Sequence, residues 1–339
     1  MIGDIIGVGV IGVGGMGARH ALNFTRHVTG ARVSAIMDSD TDRAKSVAAE
    51  CGGTRVFSDS QSLIGDVDAV LIASPNSTHV PLTIDCLKAG KPVLCEKPLG
   101  DNAGDAWRII DEEISCGQRL VQVGFMREYD PPHRHLKTLL ESGKIGKPLL
   151  FRGYHYNPFI GFERQIDDVI SGSAVHDIHS ARWLFGREIY EVFVKSIPFS
   201  EERKETSRLL VIHATFQGGA LGIIQINTAS NYGYEVSVEI TGQSGTIATE
   251  YASHPWVRYE GTVGRRVESD WLERFQAAYV SEAQAWIEGI STGNICGPSS
   301  WDGYVSLLVA DACKESARAG TPVNVRQVDR PSFYASSSD

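Results

Sequence analysis

The sequence has no long hydrophobic run and no excess of positive charge. No apolar segment approaches the roughly 18 residues that a membrane-spanning helix needs. The apolar stretch near the N-terminus follows Asp4, where a secretory signal would carry positive charge. The net charge of −9 argues against nucleic acid or an anionic membrane surface as a main partner. We therefore expect neither a membrane nor a nucleic-acid partner.

Paired cysteines are also missing. No C-x-x-C spacing occurs, and several cysteines fall within helix or strand patterns; the six are Cys51, Cys86, Cys95, Cys116, Cys296 and Cys313. Such cysteines behave as small buried hydrophobes in a reducing compartment, not as zinc ligands or disulfides. We expect a cytoplasmic protein, and 339 residues with 42% hydrophobic content are enough for two domains with real cores.

A glycine-rich segment, Val8–Gly17, reads V-G-V-I-G-V-G-G-M-G and contains the pattern G-x-G-x-x-G. In a strand–turn–helix context the first glycine permits the tight turn, the second lets backbone approach a pyrophosphate, and the third lets helix lie close to strand. The phosphates then bind at the helix N-terminus. We predict a dinucleotide site formed by Gly12, Gly14, Gly15, Met16 and Gly17.

Asp38 ends a second apolar run, Val33–Met37, about twenty residues beyond the last glycine. This is where a dinucleotide fold places the acid that binds the ribose hydroxyls. The alternative is that Asp38 caps a helix over Thr41–Cys51. An acid at this position repels a 2′-phosphate, and Ser39 supplies no cation, so we predict NAD rather than NADP.

Two further strand ends carry polar residues. The apolar strand Asp68–Ser74 runs into Pro75 and Asn76, with His79 at the next helix start. Such residues point into the cofactor crevice of a parallel sheet, although helix capping explains Asn76 and His79 equally well. The strand Pro92–Cys95 runs into Glu96-Lys97-Pro98, where proline restricts Lys97 to extended geometry.

The order of the elements predicts an α/β fold in two parts. Six β segments alternating with helices indicate an N-terminal Rossmann domain, residues 1–125, with a doubly wound parallel sheet. Successive strands with few intervening helices indicate a C-terminal α+β domain, residues 126–339, with a large open, mostly antiparallel sheet. The strand candidates of the second part are Leu149–Tyr156, Tyr190–Ile197, Leu209–Phe216, Leu221–Thr228 and Glu235–Thr241.

Several motifs together resemble one family. Gly12–Gly17 (G-x-G-x-x-G), Ser74–His79 (S-P-N-x-x-H) and Cys95–Leu99 (C-E-K-P-L) are similar to the glucose–fructose oxidoreductase, inositol dehydrogenase and rhizopine-catabolism (Gfo/Idh/MocA) family. Val121–Pro131 (V-Q-V-G-F-M-R-E-Y-D-P) and Gly297–Tyr304 (G-P-S-S-W-D-G-Y) resemble its inositol dehydrogenases more closely still. The resemblance covers nearly the whole chain.

The resemblance implies NAD-dependent oxidation of a ring secondary alcohol, with myo-inositol oxidised to a keto-inositol as the leading reaction. A sugar, glycoside or aminocyclitol substrate is the alternative within this chemistry. An alternative without this chemistry is a sensor that binds the cofactor and has no turnover. The presence of both Lys97 and His176 argues against a sensor. The family also implies a cis Lys97–Pro98 bond, and a homo-oligomer, a tetramer, joined through the open sheet.

The resemblance also assigns roles to single residues. His176 lies in the V-H-x-I segment before W-L-x-G and is expected to be the base, since the pKa of histidine lies near neutrality. Lys97 is expected to stabilise developing alkoxide charge on the reacting oxygen. Glu96 joins the cofactor-binding set with Asp38, Ser74, Asn76, His79 and Lys97. The expected contacts to the substrate are His155 and Asn157, with Tyr234 and Arg127 equally explained by pairing at the sheet edge.

His176 and His179 lie three residues apart, a spacing that would also suit a metal pair. No third ligand follows at a fixed spacing, so we expect no metal. His179 falls where inositol dehydrogenases usually have aspartate, and we interpret it as structural.

One position departs from the family pattern. The family typically has an aspartate four residues before the histidine, and this chain has Gly172. Asp168, one helical turn earlier, is a candidate substitute. Asp177 would point about 100° away from His176 in a helix and is a poor one. Substrate recognition around Gly172 is therefore left open by the sequence.

Overall fold

A computed structural model describes residues 5–249 and 256–335. The chain contacts divide it into two units: Met1–Glu128 with Ala277–Leu307 and Asp329–Asp339, and Tyr129–Gln276 with Leu308–Val328. Relative to a single division after residue 125, two later segments thus join the first unit. The reason is burial, since apolar side chains of the returning chain, such as Trp286, belong to the same core as Phe24.

The first unit contains a six-stranded parallel sheet in the order β3-β2-β1-β4-β5-β6. The strands are β1 (Ile6–Ile11), β2 (Ala31–Met37), β3 (Arg55–Phe57), β4 (Ala69–Ile72), β5 (Val93–Glu96) and β6 (Val121–Gly124). The connecting helices are α1 (Gly15–Arg26), α2 (Thr41–Glu50), α3 (Ser60–Asp66), α4 (His79–Lys88) and α5 (Ala103–Cys116). The predicted doubly wound sheet is confirmed.

The strand order reverses between β1 and β4, which lie side by side. Ligands of open parallel sheets bind beyond the carboxyl ends of the strands at such a reversal. The turns after β1, β2, β4 and β5 all leave from this edge. The fold thus gathers the glycine turn, Asp38, Ser74 and Lys97 on one side of the first sheet.

The second unit contains a seven-stranded sheet in the order β12-β11-β7-β10-β9-β8-β15. Its elements and the remaining ones are α6 (Pro131–Glu141), β7 (Pro148–Pro158), α7 (Ile166–Val169), α8 (Val175–Phe185), β8 (Ile189–Ile197), β9 (Leu209–Phe216), β10 (Leu221–Ser230), β11 (Glu235–Gly242), β12 (Thr246–Ala248), β13 (Val257–Tyr259), β14 (Thr262–Gly264), α9 (Trp271–Thr292), α10 (Ser300–Ala319) and β15 (Val323–Asn324). Among the strands described for this sheet, β7 and β10 are the only neighbours that pair in parallel, so the mostly antiparallel sheet is confirmed.

One helical segment packs on this sheet. α7 continues through a π-helical turn, Ile170–Ala174, directly into α8. An apolar stripe on this segment, formed by Ala174, Ile178 and Ala181, is buried and shares a core with Phe151 of β7. The helix ends at Gly186, whose φ of 58° is left-handed and suits glycine.

Among the described residues, none of the helices combines the length and the apolar character needed to cross a bilayer.

Candidate active site

The turn after β1 shows why each glycine of the motif is needed. Gly12 has a φ of 83°, and a Cβ there would lie 2.6 Å from the backbone of Ser74. A Cβ at Gly17 would lie 1.8 Å from the carbonyl oxygen of Gly12. At Gly14 and Gly15 a Cβ would meet no atom within 4 Å. Gly12 therefore lets the turn lie against the end of β4, Gly17 lets α1 lie close to the end of β1, and the middle glycines border open space.

The N-terminus of α1 has no side-chain cap and no acid in its first turn. By contrast, Asp40 caps α2 by accepting from the backbone N–H of Arg43 at 3.0 Å, and Asn102 caps α5. Uncapped N–H groups at a helix start favour an anion. The turn, the open space over Gly14 and the uncapped helix fit the pyrophosphate of a dinucleotide.

Asp38 lies at the end of β2 and is buried. Its Oδ2 accepts from the backbone N–H of Val13 at 2.7 Å, and its Oδ1 accepts from that of Asp40 at 2.9 Å. Nη2 of Arg43 donates to Oδ1 at 2.7 Å. Burial opposes ionisation, but the hydrogen bonds from Arg43, Asp40 and Val13 outweigh it and lower the pKa of Asp38. Ser39 supplies no cation, as expected, yet the sequence interpretation missed the one on Arg43.

The turn after β4 carries Ser74, Asn76 and His79. Asn76 is exposed in a 3-10 turn, Asn76–Thr78, and the Ser74 hydroxyl is 2.6 Å from that of Thr78. His79 is buried, and its two ring nitrogens contact the carbonyls of Pro98 at 2.8 Å and Ser74 at 2.9 Å. Burial opposes the charged ring, but Cys95 and the two carbonyls outweigh it and raise the pKa of His79 to about 9. His79 thereby joins the turns that follow β4 and β5.

The turn after β5 begins with the buried Glu96. Its Oε1 accepts from Nε2 of His20 at 2.8 Å, and its Oε2 accepts from the backbone N–H of Lys97 at 3.0 Å. Burial raises the pKa of Glu96, but His20 and Lys97 outweigh it and lower the pKa overall. The Lys97–Pro98 peptide bond is cis, which confirms the prediction. Lys97 itself is half-buried.

In the second unit, His155 of β7 forms a buried chain of contacts. Its Nδ1 donates to Oδ2 of Asp177 at 2.8 Å, and its Nε2 lies 3.3 Å from the hydroxyl of Tyr234. The two rings meet edge to face, with centroids 5.8 Å apart. The carboxylate fixes one ring nitrogen as donor and leaves the other to accept. Asp177 therefore orients His155, a role that the sequence interpretation missed.

The other predicted residues lie on further elements of the two units. His176 and His179 are both buried on α8. Asn157 is half-buried near the end of β7, and its Nδ2 finds no hydrogen-bond partner among residues 5–249 and 256–335. Arg127, in the first unit, is almost fully buried in a 3-10 turn, Met126–Tyr129. No group of three or more metal-ligating side chains converges within these ranges.

Gly172 lies inside the π-helical turn that precedes α8. A Cβ at this position would lie 2.8 Å from Nη2 of Arg164. Asp168, the substitute suggested by spacing, is exposed, and its carbonyl accepts from the same Nη2 at 2.7 Å. An arginine thus fills the space over Gly172. No local spacing signals this contact, because Arg164 precedes α7.

Two family models match the chain. The first is described as the oxidoreductase family, NAD-binding Rossmann fold, and matches residues 6–125. The second is described as the oxidoreductase family, C-terminal alpha/beta domain, and matches residues 137–325. Both bear the name Gfo/Idh/MocA, so the family predicted from the motifs is confirmed.

Similar proteins are known by sequence and by structure. The inositol 2-dehydrogenase of Rubrobacter xylanophilus is 46% identical, over 97% of this chain and 96% of its own. The inositol 2-dehydrogenase 1 of Saccharopolyspora erythraea is 41% identical, over 96% of this chain and 98% of its own. The Lactobacillus casei myo-inositol dehydrogenase, solved with NAD(H) and myo-inositol, has a TM-score of 0.93 at 31% identity, with 98% and 100% of the two chains covered. Its scyllo-inositol counterpart, solved with NAD(H) and scyllo-inositol, has a TM-score of 0.89 at 26% identity, with 95% and 99% covered.

Proposed function

The chain belongs to the Gfo/Idh/MocA oxidoreductase family, and we propose that it oxidises a ring secondary alcohol of a cyclitol with NAD. The leading substrate is myo-inositol, converted to a keto-inositol. The observation that carries this proposal is the match along nearly the whole chain to relatives named inositol 2-dehydrogenase. The geometry of the first unit supports the cofactor, since the glycine turn, the uncapped α1 and Asp38 suit a dinucleotide.

NAD, when bound, supplies the hydride acceptor. The chain supplies the means of holding it. Backbone N–H groups at Gly14, Gly15 and Met16 bind the pyrophosphate. The Asp38 carboxylate accepts from the ribose hydroxyls and repels a 2′-phosphate. The cofactor site is completed at the neighbouring strand ends by Glu96, Ser74, Asn76 and His79. Of these, His79 acts through the two turns that it joins.

The proton and the developing charge are handled by two residues. His176 removes the proton from the reacting hydroxyl, for which an imidazole is suited near neutral pH. The Lys97 ammonium donates to the same oxygen and stabilises its alkoxide character. Neither task needs a metal.

Substrate recognition falls to the second unit and to Arg127. Orientation by Asp177 supports a role for His155, whose Nε2 accepts from a ring hydroxyl. The buried Nδ2 of Asn157 is a donor for another hydroxyl. Tyr234 contacts His155, which supports assigning it to the same ligand. We include Arg127 and Gly172 among the substrate contacts on resemblance.

We also propose that the protein is a cytoplasmic homo-oligomer, a tetramer. Large apolar side chains are exposed on the second sheet, among them Ile197 at 59% and Leu221 at 53%. Exposed apolar surface of this kind is typical of an interface. Cys51, Cys86, Cys95 and Cys313 are buried thiols that pack as small hydrophobes, consistent with a reducing compartment.

The test is NADH formation by the purified protein with inositols, hexoses and aminocyclitols, repeated with His176→Ala. We expect turnover on myo-inositol, and a loss of kcat of about 10²–10⁴ in the variant, the usual contribution of a positioned acid–base group. The dissociation constant for NAD should barely change. His135→Ala, at an exposed histidine of α6, is the control. Loss of NAD affinity with kcat intact would overturn the role of His176, and no turnover on any cyclitol would overturn the function.

A further inference from the structure

The guanidinium of Arg164 occupies the space over Gly172. Nη2, the atom that a Cβ at Gly172 would approach to 2.8 Å, donates to the carbonyl of Asp168 at 2.7 Å. Nη1 donates to the hydroxyl of Ser173 at 2.8 Å. These bonds hold the guanidinium against the π-helical turn. The absence of a side chain at position 172 is what makes room for it.

Both of these acceptors are neutral. Within residues 5–249 and 256–335, no carboxylate forms an ion pair with Arg164, whereas Arg182 pairs with Glu188 and Arg203 pairs with Glu163 at 2.9 Å. Burial lowers the pKa of Arg164, and the charge of Asp168 opposes this only in part. A guanidinium does not lose its proton in a protein and carries five N–H donors. Arg164 is therefore a half-buried cation with donors to spare and no acid that neutralises it.

The position of this cation relates it to the proposed base. Gly172 precedes His176 by four residues on the continuous helical segment. Because Gly172 lies in the π-helical turn, four residues make about one turn there. The guanidinium over Gly172 thus lies about one turn before the position from which His176 projects.

We propose that Arg164 is a specificity-determining residue that donates hydrogen bonds to an oxygen substituent of the ring substrate. A hydroxyl or a carboxylate accepts from a guanidinium, whereas an ammonium is repelled by it. The site therefore disfavours aminocyclitols and tolerates ring substrates that carry a carboxylate. This inference rests on the proposed function, because it takes the ring to bind beside His176.

The test compares KM and kcat for four substrates in the native enzyme, Arg164→Met and Arg164→Lys. The substrates are myo-inositol, an aminodeoxyinositol, D-glucose and D-glucuronate, which form two pairs that differ in one charged group. We expect Arg164→Met to raise KM for myo-inositol by about tenfold or more, the size of one lost charged hydrogen bond, with a smaller change in kcat. The preference for D-glucuronate over D-glucose and for myo-inositol over its amino analogue should shrink. Arg164→Lys should restore both preferences in part.

Two further variants keep the inference falsifiable. Gly172→Asp places a carboxylate against the guanidinium and should weaken D-glucuronate more than D-glucose, even if Arg164→Met fails to fold. Arg203→Met removes an exposed arginine that is already paired and should change nothing.

Unchanged KM values and an unchanged substrate ranking in both Arg164→Met and Gly172→Asp, in an enzyme that turns over a cyclitol, overturn the inference and leave the proposed function standing. If the native enzyme turns over no cyclitol, the proposed function fails. Calorimetric binding of D-glucuronate and myo-inositol to the NAD-loaded protein then decides the inference. Equal affinities in the native protein and Arg164→Met would overturn it.

Discussion

Asp38 carries its negative charge with the Arg43 guanidinium bound to it at 2.7 Å. Replacing Asp38 with alanine removes the charge that repels a 2′-phosphate and also releases Arg43, which is then able to bind that phosphate. We expect the ratio of kcat/KM for NAD to that for NADP to fall by about tenfold or more, since one charged contact contributes about this factor to affinity. Steady-state kinetics with both cofactors measure it.

The Arg43 part of this argument has its own test. Arg43→Met in the Asp38→Ala background should remove the gain with NADP and leave NAD kinetics as they are in the single variant. Asp42→Ala is the matched control, because Asp42 is an exposed acid in the same helical turn. Equal efficiency with NAD and NADP in the native enzyme would contradict the role of Asp38.

Glu282 of α9 is a buried acid that the proposed reaction does not use. Both carboxyl oxygens lack a hydrogen-bond partner among the described residues. Burial raises the pKa of Glu282 well above its usual value, and the charges of Glu96 and Glu128 raise it further. The folded state therefore holds a proton that the unfolded chain releases above about pH 4.3. Below that pH Glu282 is protonated in both states, and its burial takes nothing from the free energy of unfolding through titration. As the pH rises from there towards the folded-state pKa, the free energy of unfolding falls by up to about 1.4 kcal/mol for each pH unit.

Glu282→Gln keeps the shape and removes the titration. We expect the variant to unfold at a higher temperature than the native protein at pH 7–8, and the difference to shrink towards pH 4. Glu288→Gln, at an exposed position of the same helix, should follow the native protein throughout. Thermal unfolding from pH 4 to 8 measures the difference, and a gap that does not vary with pH would show that Glu282 is ionised in the folded state.

At the residue scale, the sequence predicted which residues lie at the site but not which side chains form hydrogen bonds with them. Gly12, Asp38 and Lys97 could be found because the ends of parallel strands converge whatever the side chains around them. Arg43 and Arg164 could not be found, because the direction of a long side chain depends on the packing of several elements. Asp177 was judged for its angle to His176, yet its hydrogen bond to His155 joins α8 to a strand 22 residues earlier.

At the scale of elements, the turn between β1 and α1 contains glycines with two different tasks, close packing of the protein and space for the cofactor. Gly17→Ala would drive a Cβ to 1.8 Å from the carbonyl of Gly12, so α1 must move away from β1. Gly14→Ala places its Cβ in open space and disturbs nothing in the protein itself. We expect Gly17→Ala to lower the unfolding temperature by several degrees, and Gly14→Ala to leave it unchanged.

At Gly14 we expect the alanine substitution to affect cofactor binding and not stability. Its alanine variant should lose NAD affinity by about tenfold or more at unchanged stability, because the methyl group fills space that the pyrophosphate needs. Calorimetry beside thermal unfolding distinguishes the two effects. Unchanged NAD affinity in Gly14→Ala would show that the cofactor does not approach this backbone.

Periodicity predicted most elements of the fold, and two features lay beyond it for physical reasons. The β7 strand lies in the middle of its sheet, antiparallel to β11 and parallel to β10. Strand order of this kind is set by contacts between distant segments, which local patterns do not report. The π-helical turn at Ile170–Ala174 was also missed, because one extra residue in a turn leaves the apolar stripe around it nearly unchanged.

At the scale of the whole molecule, the open sheet of the second unit shows two faces along each strand. Residues of β10 alternate strictly between buried and partly exposed, and the exposed set begins with Leu221. One face is covered by the core that includes Ile178 of α8. The other carries exposed apolar side chains at Ile197 and Leu221. The proposed assembly would cover this second face.

A symmetric interface brings the same patch of two copies together, so a charge introduced there meets its own copy. We therefore expect the double variant Ile197→Glu/Leu221→Glu to have a smaller mass in solution than the native protein. The native mass should be close to four times the 36.9 kDa of one chain. Light scattering coupled to gel filtration measures both, with circular dichroism to verify that the variant is folded. Ile114→Glu, at an apolar residue of α5 that is 40% exposed and lies in the other unit, is the matched control and should leave the mass unchanged. A native protein of 36.9 kDa in solution would overturn the oligomer, and a folded double variant of native mass would place the interface on another surface.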